Sequence, residues 1–105
     1  MYKFRVWDKT TNRFIQNDKD DVCFFTGLKD SKEIEIYEGD IITYRVCGMD
    51  KEGKYSNDFI GFIIFRNGRF DIQFSKTKLS TQYHYLDAAD KVKVIGNIYE
   101  NKELL

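Results

Sequence analysis

The chain has 105 residues, and its 17 basic and 17 acidic side chains give a formal net charge of zero. That length fits one domain or two very small ones with a modest core, to which the many aromatic rings contribute much of the buried surface. The balanced charge excludes a uniformly basic nucleic-acid coat protein and leaves a local basic patch open. No apolar run is long enough to span a membrane, and the first residues lack a signal-peptide core, so we expect a cytoplasmic protein.

The first third of the chain predicts short β-strands separated by polar turns. Residues 2–7 alternate in hydrophobicity and predict a strand, as do the shorter segments 13–16, 22–25 and 34–37. Trp7 falls on the polar side of the first strand. We expect it to pack between this N-terminal part and the rest of the chain, the alternative being an exposed anchor for a partner.

A polar corner separates the N-terminal part from the strongly β-patterned remainder. Gly39 is free to adopt a positive φ, and Asp40 can accept a hydrogen bond from a turn N–H, so Glu38, Gly39 and Asp40 predict a structural corner. Glu38 and Asp40 are also a candidate catalytic carboxylate pair, but the sequence implies no His, Lys or metal ligand beside them. The predicted division is therefore 1–36 for the N-terminal part and 37–105 for a barrel.

The second part of the chain predicts a longer run of strands. Residues 48–58 are polar with two glycines and predict a mobile loop. Residues 59–65 and 70–74 are joined through Asn67-Gly68, which predicts a hairpin with a type I′ turn. Residues 91–99 predict the last strand. Short strands with little room for helix predict a mostly β fold and favour a small SH3-like barrel with a smaller irregular β-rich N-terminal part.

The candidate binding surface is basic and aromatic. Arg66 and Arg69 flank the hairpin tip, and Lys76 and Lys78 follow its second strand. Cations of this kind contact phosphates in small nucleic-acid-binding barrels, while neighbouring rings stack on bases. The alternative is the ordinary solubilising chemistry of an exposed turn. His84 is interpreted as a surface histidine between two core-directed tyrosines, the alternatives being a proton shuttle or a ring that stacks on a base.

Few residues could hold a metal ion. Cys23 and Cys47 each lie in or beside an apolar stretch and predict two reduced, buried, structural thiols. With the single histidine they do not make a closed zinc site. The Asp-rich segment 17–21 lacks the spacing, the glycine and the distal glutamate of a calcium loop, which favours a solvated loop. We therefore expect no metal and no cofactor.

Three stretches of sequence carry a family resemblance. They are Lys3-Phe4-Arg5-Val6-Trp7-Asp8 at the start, residues 26–42 with Glu35-Ile36-Tyr37-Glu38-Gly39-Asp40-Ile41-Ile42, and Val94-Ile95-Gly96-Asn97-Ile98-Tyr99 with the residues up to 105. In this order they resemble the YopX family of bacteriophage and prophage proteins. The resemblance implies an SH3-like barrel joined to a smaller N-terminal part, an intracellular location and no established activity, so no functional residue is carried over. Where the family often has Asn-Gly, this chain has Lys32-Glu33, which predicts a turn of another type.

Two classes of function stay open. We expect a non-enzymatic phage or prophage accessory protein that binds a host or phage protein, or a second copy of itself, through the barrel surface. The alternative is a nucleic-acid-binding small barrel that uses Arg66, Arg69, Lys76 and Lys78. An enzyme is disfavoured, because the sequence offers no nucleophile–base set, no metal spacing and no phosphate-cradling glycine loop.

Overall fold

A computed structural model describes residues 4–8, 11, 13–15, 21–77 and 80–105, and in this part the chain is built almost entirely of β-strands. The prediction of a mostly β fold is confirmed. Short 3₁₀ turns at Leu86–Ala88 and Lys102–Leu104 are the helical geometry of the described residues, and no helix there is long and apolar enough to cross a membrane. The nine strands of the described part are β1 (Phe4–Asp8), β2 (Arg13–Ile15), β3 (Asp21–Lys29), β4 (Glu35–Tyr37), β5 (Asp40–Asp50), β6 (Gly53–Arg66), β7 (Arg69–Thr77), β8 (Ser80–Tyr85) and β9 (Asp90–Asn97).

The strands form two antiparallel sheets. The N-terminal sheet has the order β2-β1-β3-β4, and the second sheet has the order β8-β7-β6-β5-β9. Within the described residues β8 and β9 lie at opposite edges and do not pair, so the second sheet is not closed. The predicted SH3-like barrel is therefore not confirmed. The physical reason is that the turn after β3 lies along the outer edge of β9, where Ser31 donates its N–H to the carbonyl of Val92 at 2.8 Å.

The turn between β3 and β4 fastens the N-terminal sheet to β9. Asp30 is only 5% exposed, and its carboxylate accepts hydrogen bonds from the N–H groups of Lys32, Ile34 and Val94 at 2.8, 2.9 and 3.0 Å. Burial opposes ionisation of Asp30, but these three donors outweigh it and hold the pKa of the carboxyl below its ordinary value. Glu33 adopts φ +67° in this turn, a left-handed conformation that favours glycine.

The β6–β7 hairpin has the predicted geometry. Arg66 pairs with Arg69 across a two-residue turn in which Asn67 has φ +51° and Gly68 has φ +80°. Two positive φ angles are what a type I′ turn requires, and Asn-Gly adopts them at low cost. The hairpin prediction is confirmed.

The β5–β6 hairpin is long, and its distal half projects beyond the rest of the sheet. Pairing is continuous from Ile41–Phe62 to Asp50–Gly53. The pairing of β9 with β5 ends at Arg45, and that of β7 with β6 begins only at Phe62. We call residues 45–58 the arm. The predicted loop over 48–58 is thus wrong, because an exposed two-stranded ribbon needs cross-strand hydrogen bonds but no apolar face. Cys47 is exposed in this arm, so the prediction of a buried thiol there is also wrong, whereas Cys23 is buried.

The core joins the two sheets. Ile36 of β4 packs with buried side chains of the five-stranded sheet and of the turn after β8, namely Ile42, Tyr44, Ile63, Ile72 and Leu86. A second contact is made by the buried Trp7 of β1, which stacks on Tyr99 with 5.1 Å between ring centroids and meets Phe14 edge-on at the same distance. Trp7 therefore packs between the N-terminal sheet and the segment that follows β9, as its position in the sequence predicted.

Candidate functional site

The β6–β7 turn holds two arginines over two tyrosines of β8. The guanidinium carbon of Arg66 lies 3.7 Å from the ring centroid of Tyr83, and that of Arg69 lies 3.5 Å from the ring centroid of Tyr85. The register explains the arrangement, since Tyr85 pairs with Asp71 and therefore projects from the same face of the sheet as the arginine side chains. Each stacked pair contributes about 0.5–1 kcal/mol at an exposed site and limits the rotamers of the arginine.

A buried carboxylate lies between the two arginines. Asp71 is 4% exposed, and its Oδ1 accepts a hydrogen bond from Nε of Arg69 at 3.1 Å. Nε of Arg66 lies 3.8 Å from Oδ2 of the same carboxylate. The arginine side chains themselves remain 34% and 48% exposed. One carboxylate and two guanidinium groups leave a formal charge of +1. Asp71 holds the guanidinium groups from below, and the tyrosine rings hold them from the side.

The arginines and tyrosines surround a shallow, open cavity of about 420 Å³. The tyrosine rings form its apolar walls, and the guanidinium groups supply its charge. We call it the arginine–tyrosine site. Such a surface can accept a carboxylate or a phosphate through charge-assisted hydrogen bonds and an adjacent apolar group through the rings. Its lining residues are Arg66, Asn67, Arg69, Asp71, Tyr83 and Tyr85.

The structure brings together part of the basic set that the sequence suggested. Arg66 and Arg69 meet at one site. Lys76 belongs to β7, but its side chain and the whole of Lys78 lie outside the described residues, so their contribution stays a prediction. Sequence reasoning missed the two tyrosines and Asp71. The alternation Tyr83-His84-Tyr85 correctly indicates a strand, but the prediction that the two tyrosines face the core and His84 faces solvent is wrong.

His84 points inwards, which corrects that assignment. It pairs with the buried Ile72, stacks on Phe74 with 4.1 Å between ring centroids, and shares a 2.8 Å hydrogen bond between its Nδ1 and the hydroxyl of Tyr44. Burial raises the pKa of Tyr44 well above its usual range, so this hydroxyl keeps its proton. Tyr83 and Tyr85, predicted to face the core, are exposed instead.

The Glu38-Gly39-Asp40 corner connects the two sheets. Gly39 has φ +89°, donates its N–H to the carbonyl of Ile63 and accepts from the N–H of Ile98, both at 2.9 Å. The buried Asp40 accepts from the N–H of Tyr37 at 2.8 Å and pairs with the Arg5 guanidinium of β1. Burial raises the pKa of the Asp40 carboxyl, and the Tyr37 N–H and Arg5 oppose this only in part. A carboxylate enclosed in this way ties β1 to β5 and offers no open face to a substrate.

Metal ligands do not converge in the part of the chain that the structure describes. Among those residues no group of three His, Cys, Asp or Glu side chains is arranged to hold a metal ion. Residues 17–20, which carry most of the Asp-rich segment, lie outside the described residues.

Fold and site together define a small protein of two antiparallel sheets with an exposed cationic and aromatic surface. The chain belongs to the YopX family, because the family model described as YopX protein matches residues 17–105. The chain is similar in fold to the crystal structure of protein EF1440 from Enterococcus faecalis, with 23% sequence identity, a TM-score of 0.63, and coverage of 100% of this chain and 98% of that chain. At this identity the likeness shows the fold alone. Comparison with curated proteins gives no match.

Proposed function

We propose that the chain is a non-enzymatic binding protein and that its arginine–tyrosine site contacts an acidic segment of a protein partner. For a chain whose sequence resembles phage and prophage proteins, the expected partner is a host or phage protein in the bacterial cytoplasm. The observation that carries the proposal is the fixed position of two exposed guanidinium groups, each stacked on a tyrosine and oriented by Asp71.

Pre-organisation favours binding at this site. Arginine and tyrosine are enriched among the residues that dominate protein interfaces, and a side chain that is already held in place loses less conformational entropy when it binds. Arg69 uses only its Nε–H for Asp71, so its terminal N–H groups are available as donors to a carboxylate. The tyrosine hydroxyls and ring edges add polar and apolar contacts at the margin of the cavity.

A nucleic-acid ligand is the second candidate, and it rests on the same two arginine–tyrosine pairs. Cations beside exposed rings are the elements of a single-strand-binding surface. Two features weigh against it. The Asp71 carboxylate leaves the site a net charge of only +1, which can neutralise few phosphates of a polyanionic strand, and each tyrosine has one ring face occupied by a guanidinium group rather than open to a base.

The test is a titration of the isotope-labelled protein by nuclear magnetic resonance with two probes, an Asp- and Glu-rich peptide that also contains phenylalanine and a single-stranded oligonucleotide. We expect the peptide to shift the Nε–H signals of Arg66 and Arg69 and to bind more tightly than the oligonucleotide. Arg66→Gln with Arg69→Gln should weaken peptide binding by at least about tenfold. Lys93→Gln with Lys102→Gln, which removes the same charge elsewhere, should leave it unchanged.

A further variant separates charge from geometry. Arg66→Lys with Arg69→Lys keeps the charge but loses the planar, stacked guanidinium groups, so it should still weaken peptide binding. Peptide binding that is equal in the wild type and in the Gln pair would overturn the proposal. Oligonucleotide binding that is tighter than peptide binding and falls steeply with salt would replace it with the second candidate.

A further inference from the structure

The outer edge of β6 within the arm has no neighbouring strand among the described residues. Pairing with β7 begins at Phe62, so the residues from Gly53 to Gly61 pair with β5 alone. An exposed strand edge is a template for another strand, and a two-stranded ribbon is only marginally stable by itself. The other edge of the arm is shorter, because β9 pairs with β5 as far as Arg45 and leaves only residues 46–50 of β5 without a second neighbour among the described residues. The edge of β6 is therefore the place where an added strand gains most.

The register of the hairpin shows which backbone groups point outward. Asp50 and Gly53 pair across a two-residue turn, so they form a hydrogen-bonded pair. Alternate residues of β6 then direct their N–H and C=O groups to β5, and the residues between them, Lys54, Ser56 and Asp58, direct theirs away. The same alternation directs those of Phe62 towards Gln73 of β7, where pairing is observed.

We propose that two copies of the chain pair through this edge, β6 against β6 in antiparallel orientation about a two-fold axis at Ser56. This register sets the two Ser56 residues opposite each other as a hydrogen-bonded pair. It also sets Lys54 of each copy opposite Asp58 of the other, so that two opposite-charge pairs form. Every outward-directed backbone group between these residues gains a partner, and the interface is self-complementary, as a two-fold interface must be.

Charge favours a second copy as the occupant of this edge. Arg45, Lys51 and Lys54 balance the acidic residues Asp50, Glu52 and Asp58, so the arm as a whole is neutral and two arms do not repel each other. Asp58 already accepts a 2.7 Å hydrogen bond from Nε of Arg45 and is still 72% exposed, which leaves it accessible to a second cation. β8 is also an edge strand of this sheet, but it has no charged residue. Charge pairs could therefore not fix the register of a second copy that paired with β8.

Ser56→Pro is the sharpest perturbation of the proposed interface. The Ser56 N–H points outward, so proline there removes no hydrogen bond within the arm but blocks pairing at the two-fold axis. In sedimentation equilibrium we expect the wild type to sediment as a dimer of the 12.5 kDa chain and Ser56→Pro to sediment as a monomer with an unchanged far-ultraviolet circular dichroism spectrum. Ser56→Ala, the matched control, should stay dimeric.

Charge reversal tests the register. Lys54→Asp sets two acidic residues opposite each other at two places and should weaken the dimer about tenfold. Adding Asp58→Lys restores opposite charges across the axis and should restore the dimer. If the double variant were no tighter than Lys54→Asp alone, the proposed register would be wrong.

Disulfide trapping gives an independent readout. In a Cys47→Ser background, Ser56→Cys sets two thiols opposite each other on strands whose Cα atoms are about 5.5 Å apart, within reach of a disulfide. Oxidised glutathione should then convert Ser56→Cys, but not the arm-tip control Glu52→Cys, into a covalent dimer. A monomeric wild type at millimolar concentration, or equal cross-linking at both positions, would overturn the proposal. This inference does not depend on the arginine–tyrosine site, whose variants should leave the dimer intact.

Discussion

Replacing Asp30 by asparagine tests how the two sheets are held together. The substitution preserves the shape of the side chain but removes its charge and turns one acceptor into a donor. A hydrogen bond to a charged group contributes about 1.5–3 kcal/mol, and a neutral one about 1 kcal/mol. Lys32 and Ile34 are exposed, so water replaces part of what their N–H groups lose, whereas the N–H of Val94 in β9 would face the new amide. We expect the free energy of unfolding to fall by about 2–3 kcal/mol at pH 7.

The loss should depend on pH in a defined direction. The folded state holds the pKa of Asp30 below its ordinary value, so this group stabilises the fold above an ordinary aspartate pKa of about 3.9. That contribution disappears as the pH falls through the folded value. The difference in stability between the wild type and Asp30→Asn should therefore shrink below about pH 4.

Urea unfolding between pH 7 and pH 3 provides the measurement. Trp7 is the single tryptophan and is buried against Tyr99, so its fluorescence reports separation of the sheets, while circular dichroism follows the strands. Asp87→Asn, the same change at an exposed residue, should alter stability by less than about 0.5 kcal/mol. Equal stability of the wild type and Asp30→Asn at pH 7, or a difference that does not change with pH, would refute the reasoning.

Three further substitutions test other positions by the same unfolding measurement. Gly39→Ala should cost about 2 kcal/mol, because it adds a Cβ at φ +89° and 3.2 Å from the Tyr99 ring, and an unchanged stability would contradict this. Glu33→Gly should stabilise the fold by about 1 kcal/mol by relieving φ +67°, so a loss would count against a strained turn. The raised pKa of Tyr44 means that wild-type stability declines as the pH rises above about 10, and Tyr44→Phe should flatten that decline. If stability declines above about pH 10 as steeply in Tyr44→Phe as in the wild type, groups other than Tyr44 cause the decline.

Local chemistry made some of the fold predictable. Asn67-Gly68 fixes its turn because both residues tolerate positive φ, and the alternation of the flanking residues then sets the faces of β6 and β7. The Lys32-Glu33 turn was also foreseeable as unusual. How this turn is stabilised could not be predicted from the sequence, because the turn depends on the buried Asp30 carboxylate and on a donor in β9, 64 residues away in the sequence.

The parts that the sequence did not reveal depend on pairing between distant segments. Sheet closure depends on which segment covers the edge of β9, and no local pattern encodes that choice. The orientation of β8 depends on its register with β7, and a slip of one residue moves every side chain to the other face. This explains why Arg66 and Arg69 could be singled out, while the two tyrosines that stack on them could not.

The contact between Tyr99 and the N-terminal sheet affects the order in which the chain can fold during its synthesis. The hydroxyl of Tyr99 lies 3.3 Å from Sγ of Cys23, which is 76 residues earlier in the sequence. At roughly 5–20 residues per second, a ribosome needs about 4–15 s to make the intervening chain. Throughout that interval Trp7 and Cys23 lack the ring that covers them in the finished fold. The first sheet to be synthesised can therefore be completed only after residue 99 has been made.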